Sequence, residues 1–310
     1  MKGRHILLAL LCAALWGGSF SVINWGLHDL PPLAFASLRF AMVAALVLVI
    51  PRPKVPFHMI MLYGFTWGVM QFGGLFIALN AGLPTGLSSL LAQTQVFFTV
   101  VFVGLLKWET LRVHHYFSLL LACCGLAFVS MGHEYSVPPL AILSSLLGAT
   151  GWAIGNLVVR SIHVSGAQAD TPGFIIWASF VPTIVLGGLS MLSEDLEQLK
   201  SLEIAEVSRI IAAVTYQSIA ALLLGSMAWN HLLRHYKASI VAPFSLLVPV
   251  VGLTIGISFM HESLTPLQTL GCLSLTAALG VNLRCSPLTD RANRQCDRNE
   301  VHRSKSTSVF

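Results

Sequence analysis

The chain has 310 residues, of which 55% are hydrophobic and only 10% are charged, and its mean hydropathy is +0.76. An ordinary soluble domain carries about 25% charged residues, so this composition excludes a soluble globular protein. The formal net charge is +5, but the basic residues lie in short segments between apolar stretches. We therefore expect no nucleic-acid partner.

Ten apolar stretches, which few charges interrupt, occupy most of the chain. A helix needs about 20 residues to cross a hydrocarbon core of about 30 Å, and each stretch is close to that length. They comprise residues 6–26, 33–50, 59–79, 85–106, 113–131, 140–159, 173–192, 209–233, 239–260 and 266–283. The pattern predicts an all-α integral membrane protein with ten transmembrane helices in a lipid bilayer.

The connections between the stretches are alternately rich and poor in lysine and arginine. With the N-terminus in the cytoplasm, fifteen lie inside, only Lys200 and Arg209 lie outside, and Arg39 lies within the second stretch. Basic residues are retained on the cytoplasmic side, so both termini are predicted there, in a multi-pass protein of the inner (plasma) membrane. Residues 285–310 form a basic cytoplasmic tail, which is predicted to anchor the topology or to bind anionic lipid.

An internal repeat divides the ten stretches into halves of five, residues 1–132 and 133–284. Glu109-Thr110-Leu111 follows the fourth stretch and Glu262-Ser263-Leu264 follows the ninth, 153 residues later. Because five is odd, the second half enters the membrane from the opposite side, as in carriers that work by alternating access. Glu109 and Glu262 are predicted either as gate or helix-end residues or as plain boundary anchors.

The longest outside connection, residues 193–208, is acidic and is predicted to form a solvated face. Catalytic motifs are not found: the sequence has no HExxH, no P-loop and no GxSxG. His231 and His235 have a spacing able to bind a metal, but no carboxylate or cysteine accompanies them on their helix. We therefore expect no metal, no cofactor and no enzymatic activity. Trp177 and Trp229 fit an interfacial aromatic belt.

Arg39 is the most informative polar residue within a stretch. An arginine at the centre of a membrane helix costs about 2.5–3.5 kcal/mol on insertion scales. It persists if it reaches the outer surface, if it is paired, or if it lines a wet cavity where it could receive a substrate carboxylate. Both the snorkelling and the binding interpretations stay open at this point.

Several amide and aromatic side chains lie equally deep. Gln93 and Gln95 point about 200° apart on a helix, so we expect one to bond a neighbouring helix and the other to line a path. The predicted substrate-binding set is Arg39, Gln71, Gln93, Gln95, Trp16, Trp152, Asn156 and Tyr216. Apart from the span-end residues Glu109 and Glu262, no carboxylate is associated with a stretch. This fits a uniporter, an exchanger or a carrier coupled through other groups better than carboxylate-based coupling.

Motifs along almost the whole chain resemble one known family. They include Trp16–Phe20, Leu38-Arg39-Phe40, Gln71-Phe72, Gln93-Thr94-Gln95, Gly155-Asn156, Ser245–Leu253 and Glu262-Ser263-Leu264-Thr265. Together they resemble the EamA-type carriers of the drug/metabolite transporter superfamily, and look closest to the bacterial O-acetylserine/cysteine exporter branch. The resemblance implies ten helices in two inverted five-helix repeats, a central cavity and efflux of small amino-acid metabolites.

The sequence thus favours an exporter whose partner is a small zwitterionic metabolite, best O-acetylserine or cysteine. Three alternatives remain: export of other metabolites or lipophilic drugs, a membrane-embedded enzyme, and a non-transporting membrane protein with a dry interior. A central cavity between the halves, bordered by Arg39 and Gln71, would favour transport over the last of these.

Overall fold

The computed structural model describes residues 1–81, 83, 85–108, 113–131, 138–164, 171–197, 199, 202–260 and 266–285. Within these residues the chain is helical and contains no strand, and each of the predicted apolar stretches contains helix. Five segments are long and apolar enough to cross a membrane: Gly3–Ile23, Phe57–Asn80, Pro139–Ile162, Pro172–Ser193 and Ile204–His235. The number of crossings and the side of each terminus stay predictions.

In its described residues the first half contains seven α-helices, a 3-10 segment (Ala45–Leu48) that follows α2, and one π-helical stretch that joins α3 to α4. The α-helices and the π-helical stretch are α1 (Gly3–Gly26), α2 (Pro32–Ala44), α3 (Phe57–Tyr63), the π-helical stretch Gly64–Gly73, α4 (Gly74–Asn80), α5 (Thr85–Ala92), α6 (Gln95–Leu105) and α7 (Val113–Met131).

The second half has a similar order of elements and again includes a π-helical stretch. Its elements are α8 (Pro139–Val164), α9 (Thr171–Ala178), α10 (Phe180–Ser193), α11 (Ile204–Thr215), the π-helical stretch Tyr216–Leu224, α12 (Gly225–His235), α13 (Ala238–Val241), the 3-10 segment Ala242–Leu246, α14 (Leu247–Met260) and α15 (Pro266–Cys285).

Irregular helix geometry recurs at matching places in the two halves. The π-helical stretches begin at Gly64 and Tyr216, 152 residues apart. The fourth predicted stretch is interrupted at Gln93–Thr94, and the ninth is interrupted by the 3-10 segment that contains Pro243, a residue that cannot donate to the helix ladder. Interrupted helices at corresponding positions of two repeats typically border the binding site of a carrier.

Contacts between the halves are made by close helix pairs. α1 packs on α12 and α14, α2 packs on α10, and α8 packs on α4 and the first π-helical stretch. Glycines allow α8 to lie this close to α4 and the first π-helical stretch. A Cβ on Gly74 would lie 2.5 Å from the Ser144 carbonyl oxygen, and one on Gly148 would lie 2.8 Å from the Gln71 carbonyl oxygen. The backbone that carries Gln71 therefore lies directly against α8.

The acidic connection of residues 193–208 is only partly the solvated face that its composition predicts. Glu203 and Glu206 form a capping box at the start of α11, and Glu194 contacts the backbone of α2. Glu109, Glu262 and the tail beyond Cys285 lie outside the described residues, so their predicted roles stay predictions.

Candidate functional site

A cavity lies between the two halves and is bordered by Arg39 and Gln71. About 60 Å³ of it is open to the centres of water molecules, whereas a single water needs about 10–15 Å³, so it has room for several waters. Both halves contribute to its lining, through α1, α2, α4, α5, α8, α12, α14 and both π-helical stretches. The lining residues are Trp16, Ser19, Phe20, Ile23, Arg39, Trp67, Gln71, Phe72, Leu75, Ala92, Gln93, Ser145, Gly148, Ala149, Trp152, Ala221, Ser226 and Val248.

Arg39 is the charged group of the cavity. Its side chain is only 3% exposed, so it does not snorkel to the surface. The guanidinium carbon lies 4.1 Å from the ring centre of Phe72 and 5.3 Å from that of Phe40, while Nε and Nη1 find no hydrogen-bond partner among the described residues. A buried cation held only by aromatic faces is available to an anion.

Three neutral side chains bring unpaired oxygens to the same cavity. Gln71 Oε1, Gln93 Oε1 and Ser145 Oγ are buried without a hydrogen-bond partner in the described part of the chain. Gln93 uses its amide nitrogen, which donates to the Ser89 carbonyl at 3.3 Å, and so leaves the oxygen free. Buried polar atoms are normally paired, so this cluster fits water or a polar ligand.

The unpaired atoms have complementary character. Arg39 offers donors and a positive charge, whereas the two glutamine oxygens are acceptors and the Ser145 hydroxyl can serve as either. No carboxylate appears among the described residues that line the cavity. The arrangement can therefore bind a solute with one anionic group and a separate donor, such as an ammonium or a hydroxyl.

Tryptophans form one wall of the cavity. The Trp16 ring lies 5.4 Å from Trp152 in a T-shaped arrangement and 5.1 Å from Trp229, and its indole N–H donates to the Ala221 carbonyl at 2.9 Å. The interfacial assignment of Trp229 is wrong: the residue is 3% exposed. Its position near the end of an apolar stretch suggested an interface, but the ring faces α1 and α8.

Gln95 and Asn156 belong to a buried network beside the cavity and do not line it. Gln95 donates to the Ser245 hydroxyl at 2.7 Å and accepts from Asn156 at 3.1 Å. Asn156 in turn accepts the Trp229 indole N–H at 3.0 Å. The network connects α6, α8, α12 and the 3-10 segment, so it stabilises the interrupted helices and the tryptophan wall together.

Tyr216 also lies outside the cavity lining. Its hydroxyl donates to the Leu15 carbonyl at 3.0 Å, and the adjacent Gln217 exchanges two hydrogen bonds with Ser19. Sequence reasoning missed Ser145, because a serine in an apolar helix normally bonds its own helix backbone and carries no signal for a free hydroxyl.

His231 and His235 meet His5 of α1 at one end of the molecule. The ring centre of His5 lies 5.5 Å from that of His231 and 5.6 Å from that of His235. Within the described residues, no group of three His, Cys, Asp or Glu side chains is arranged to hold a metal ion.

Comparison with known proteins gives consistent results over the whole fold. The EamA-like transporter family matches residues 3–131 and 139–284. The chain is 34% identical over 288 residues to a probable amino-acid metabolite efflux pump of Escherichia coli, covering 91% of this chain and 96% of the relative. A probable amino-acid metabolite efflux pump of Salmonella typhimurium is 33% identical over 287 residues, with coverage of 91% and 96%. A solved crystal structure shares the fold, with a TM-score of 0.74 over 94% of this chain and 99% of that chain at 15% identity.

Proposed function

The chain belongs to the EamA-like transporter family, and we propose that it exports small amino-acid metabolites, best O-acetylserine and cysteine, from the cytoplasm. It is a multi-pass protein of the inner membrane. The observation that carries the proposal is the cavity between the halves, where an unpaired guanidinium faces unpaired neutral oxygens. The names of the relatives support both the direction and the class of cargo.

Each end of a zwitterionic amino acid has a matching group in the cavity. The carboxylate binds the Arg39 guanidinium by charge-assisted hydrogen bonds, which are about twice as strong as neutral ones. The ammonium donates to the oxygens of Gln71 and Gln93. Ser145 is available to a polar group on the side chain of the cargo. In this assignment Gln95, Asn156 and Tyr216 support the walls and do not touch the cargo.

Transport proceeds by alternating access in this proposal, with ten spans arranged as two inverted repeats and both termini in the cytoplasm. The helix pairs between the halves, such as α2 with α10, rearrange while the cavity stays central. Glu109 and Glu262 are proposed as gate or helix-end residues. No enzymatic step, metal or cofactor is part of the cycle.

A counterflow assay in proteoliposomes tests the proposal. Vesicles are loaded with unlabelled cysteine or O-acetylserine, and uptake of labelled cysteine is measured. We expect counterflow with the intact protein and a loss of about tenfold or more with Arg39→Gln, because a hydrogen bond to a charged group contributes about 1.5–3 kcal/mol.

Arg52→Gln is the matched control, since Arg52 also lies over an aromatic ring, 5.2 Å from the centre of Phe57, but does not line the cavity. It should transport normally. Counterflow by lipophilic cations in place of amino acids would assign the protein to drug export. Unchanged counterflow after Arg39→Gln would remove Arg39 from the binding site.

A further inference from the structure

Glu194, in the second half, caps the N-terminal end of helix α2, in the first half. One carboxylate oxygen accepts the Leu33 backbone N–H at 2.6 Å, and the other accepts the Ala34 N–H at 2.9 Å. The second oxygen also accepts the Ser190 hydroxyl at 2.7 Å, which fixes the carboxylate from its own side. The contact spans 160 residues of sequence and joins the end of α10 to α2.

Helix α2 depends on this distant carboxylate because its own sequence supplies no cap. Pro31 and Pro32 begin the helix, and a proline side chain has no acceptor for the free N–H groups of a first helical turn. A negative group at that place also interacts favourably with the helix dipole. Glu194 therefore satisfies two backbone donors that would otherwise lie unpaired beside a partly buried surface.

Arg39 lies on the same helix, six residues after Leu33, so about 9 Å separates the cap from its backbone along the axis. Further along α2, the Ser37 hydroxyl donates to the Thr183 carbonyl of α10 at 3.1 Å, and the carbonyl of Arg39 accepts the Ser218 hydroxyl at 3.0 Å. These hydrogen bonds between α2 and other elements thus all lead to the second half, and Glu194 provides the charged acceptor among them.

We propose that Glu194 is a positioning residue for cargo binding: it fixes the N-terminal end of α2 and thereby the place of the Arg39 guanidinium in the cavity. The inference rests on the proposed function, in which Arg39 receives the cargo carboxylate. It gives the acidic outside loop a specific role in affinity, although Glu194 itself does not line the central cavity.

A double-mutant cycle in proteoliposomes tests the inference with labelled cysteine counterflow. Four proteins are compared: the intact chain, Glu194→Ala, Arg39→Gln and the double variant. Glu194→Ala should raise the half-saturation concentration about tenfold, which corresponds to about 1.4 kcal/mol, with little change in the maximal rate. In the Arg39→Gln background the same substitution should change half-saturation by less than about twofold, because the group that it positions is gone.

Asp195→Asn is the matched control, because Asp195 follows Glu194 and both residues line a pocket beside the start of α2. Among the described residues its carboxylate accepts the nearby Glu197 N–H at 2.9 Å and makes no hydrogen bond to α2. Asp195→Asn should leave half-saturation unchanged. Glu194→Gln, which keeps the size of the side chain, replaces the alanine variant if the latter does not fold. Equal effects of Glu194→Ala in both backgrounds, or no effect in either, would overturn the positioning role. Wild-type half-saturation in Arg39→Gln would instead overturn the proposed binding site.

Discussion

Replacing Arg39 by methionine should stabilise the protein while removing its transport of carboxylate-bearing cargo. Arg39 is 3% exposed and leaves Nε and Nη1 unpaired, and each unsatisfied buried donor costs about 1–3 kcal/mol. Contact of the guanidinium with the Phe72 ring, at 4.1 Å, offsets about 0.5–2 kcal/mol of this cost. Methionine keeps the length and the packing on the ring but needs no hydrogen bond. The two unpaired donors would cost about 2–6 kcal/mol in a dry site; water in the cavity relieves part of this, so we expect a net gain of about 1–2 kcal/mol.

Thermal unfolding in detergent, followed by tryptophan fluorescence, measures the effect. For 310 residues, a gain of this size should raise the apparent Tm by about 1.5–3 °C. Arg52→Met is the control, since Arg52 is exposed and its replacement should change stability by less than about 0.5 kcal/mol. A fall in Tm for Arg39→Met, with the control unchanged, would refute the reasoning, because it would mean that the guanidinium stabilises the empty protein.

Three further sets of substitutions test the packing around the cavity and one ion pair between the halves. Asn156→Leu should lower stability by about 2–4 kcal/mol, because it leaves the buried Trp229 indole N–H without its acceptor and Gln95 without the Asn156 donor; denaturation in detergent measures the loss. Gly148→Ala should cost about 1–3 kcal/mol by overpacking, and Gly188→Ala, where a Cβ meets nothing within 4 Å, should cost nothing. Asp29 and Arg209 form a bidentate ion pair, so Asp29→Arg should lower the apparent Tm by about 2 °C. The double variant Asp29→Arg/Arg209→Asp should restore most of that loss; no recovery would mean that the pair contributes nothing.

Composition and charge predict the class of the fold because a bilayer imposes strong constraints. Apolar segments of about 20 residues can satisfy their backbone in lipid only as helices or closed barrels, so the helical elements follow from hydropathy. Interruptions inside the helices were less predictable. Pro243 signals one of them, but Gln93–Thr94 carries neither glycine nor proline. At that break the Thr94 hydroxyl donates to the Leu91 carbonyl at 2.6 Å, a local bond that threonine makes in helices as well.

Side-chain direction was predictable within one helix and not between helices. An unbroken helix would place Gln93 and Gln95 about 200° apart, which predicts that only one of them faces a cavity. The helix is interrupted at Gln93–Thr94, but Gln93 does line the cavity while Gln95 bonds Ser245. Which of the two glutamines lines the cavity depends on neighbouring helices that the local sequence does not specify. The contact between Glu194 and α2 is harder still to predict from the sequence, because a solvated acidic loop and a loop that caps a helix 160 residues away have the same local composition.

The two π-helical stretches make the protein sensitive to changes in chain length. A π-helical turn holds more residues than an α-helical turn, and each residue of an α-helix advances the side-chain direction by about 100°. Deleting one residue between Gly64 and Gly73 would let the stretch relax to α geometry, and Gln71 and Gly74 could no longer both face their present neighbours. Single-residue deletions here should therefore be far less tolerated than conservative substitutions, because the number of residues in the stretch sets which faces meet the cavity and α8.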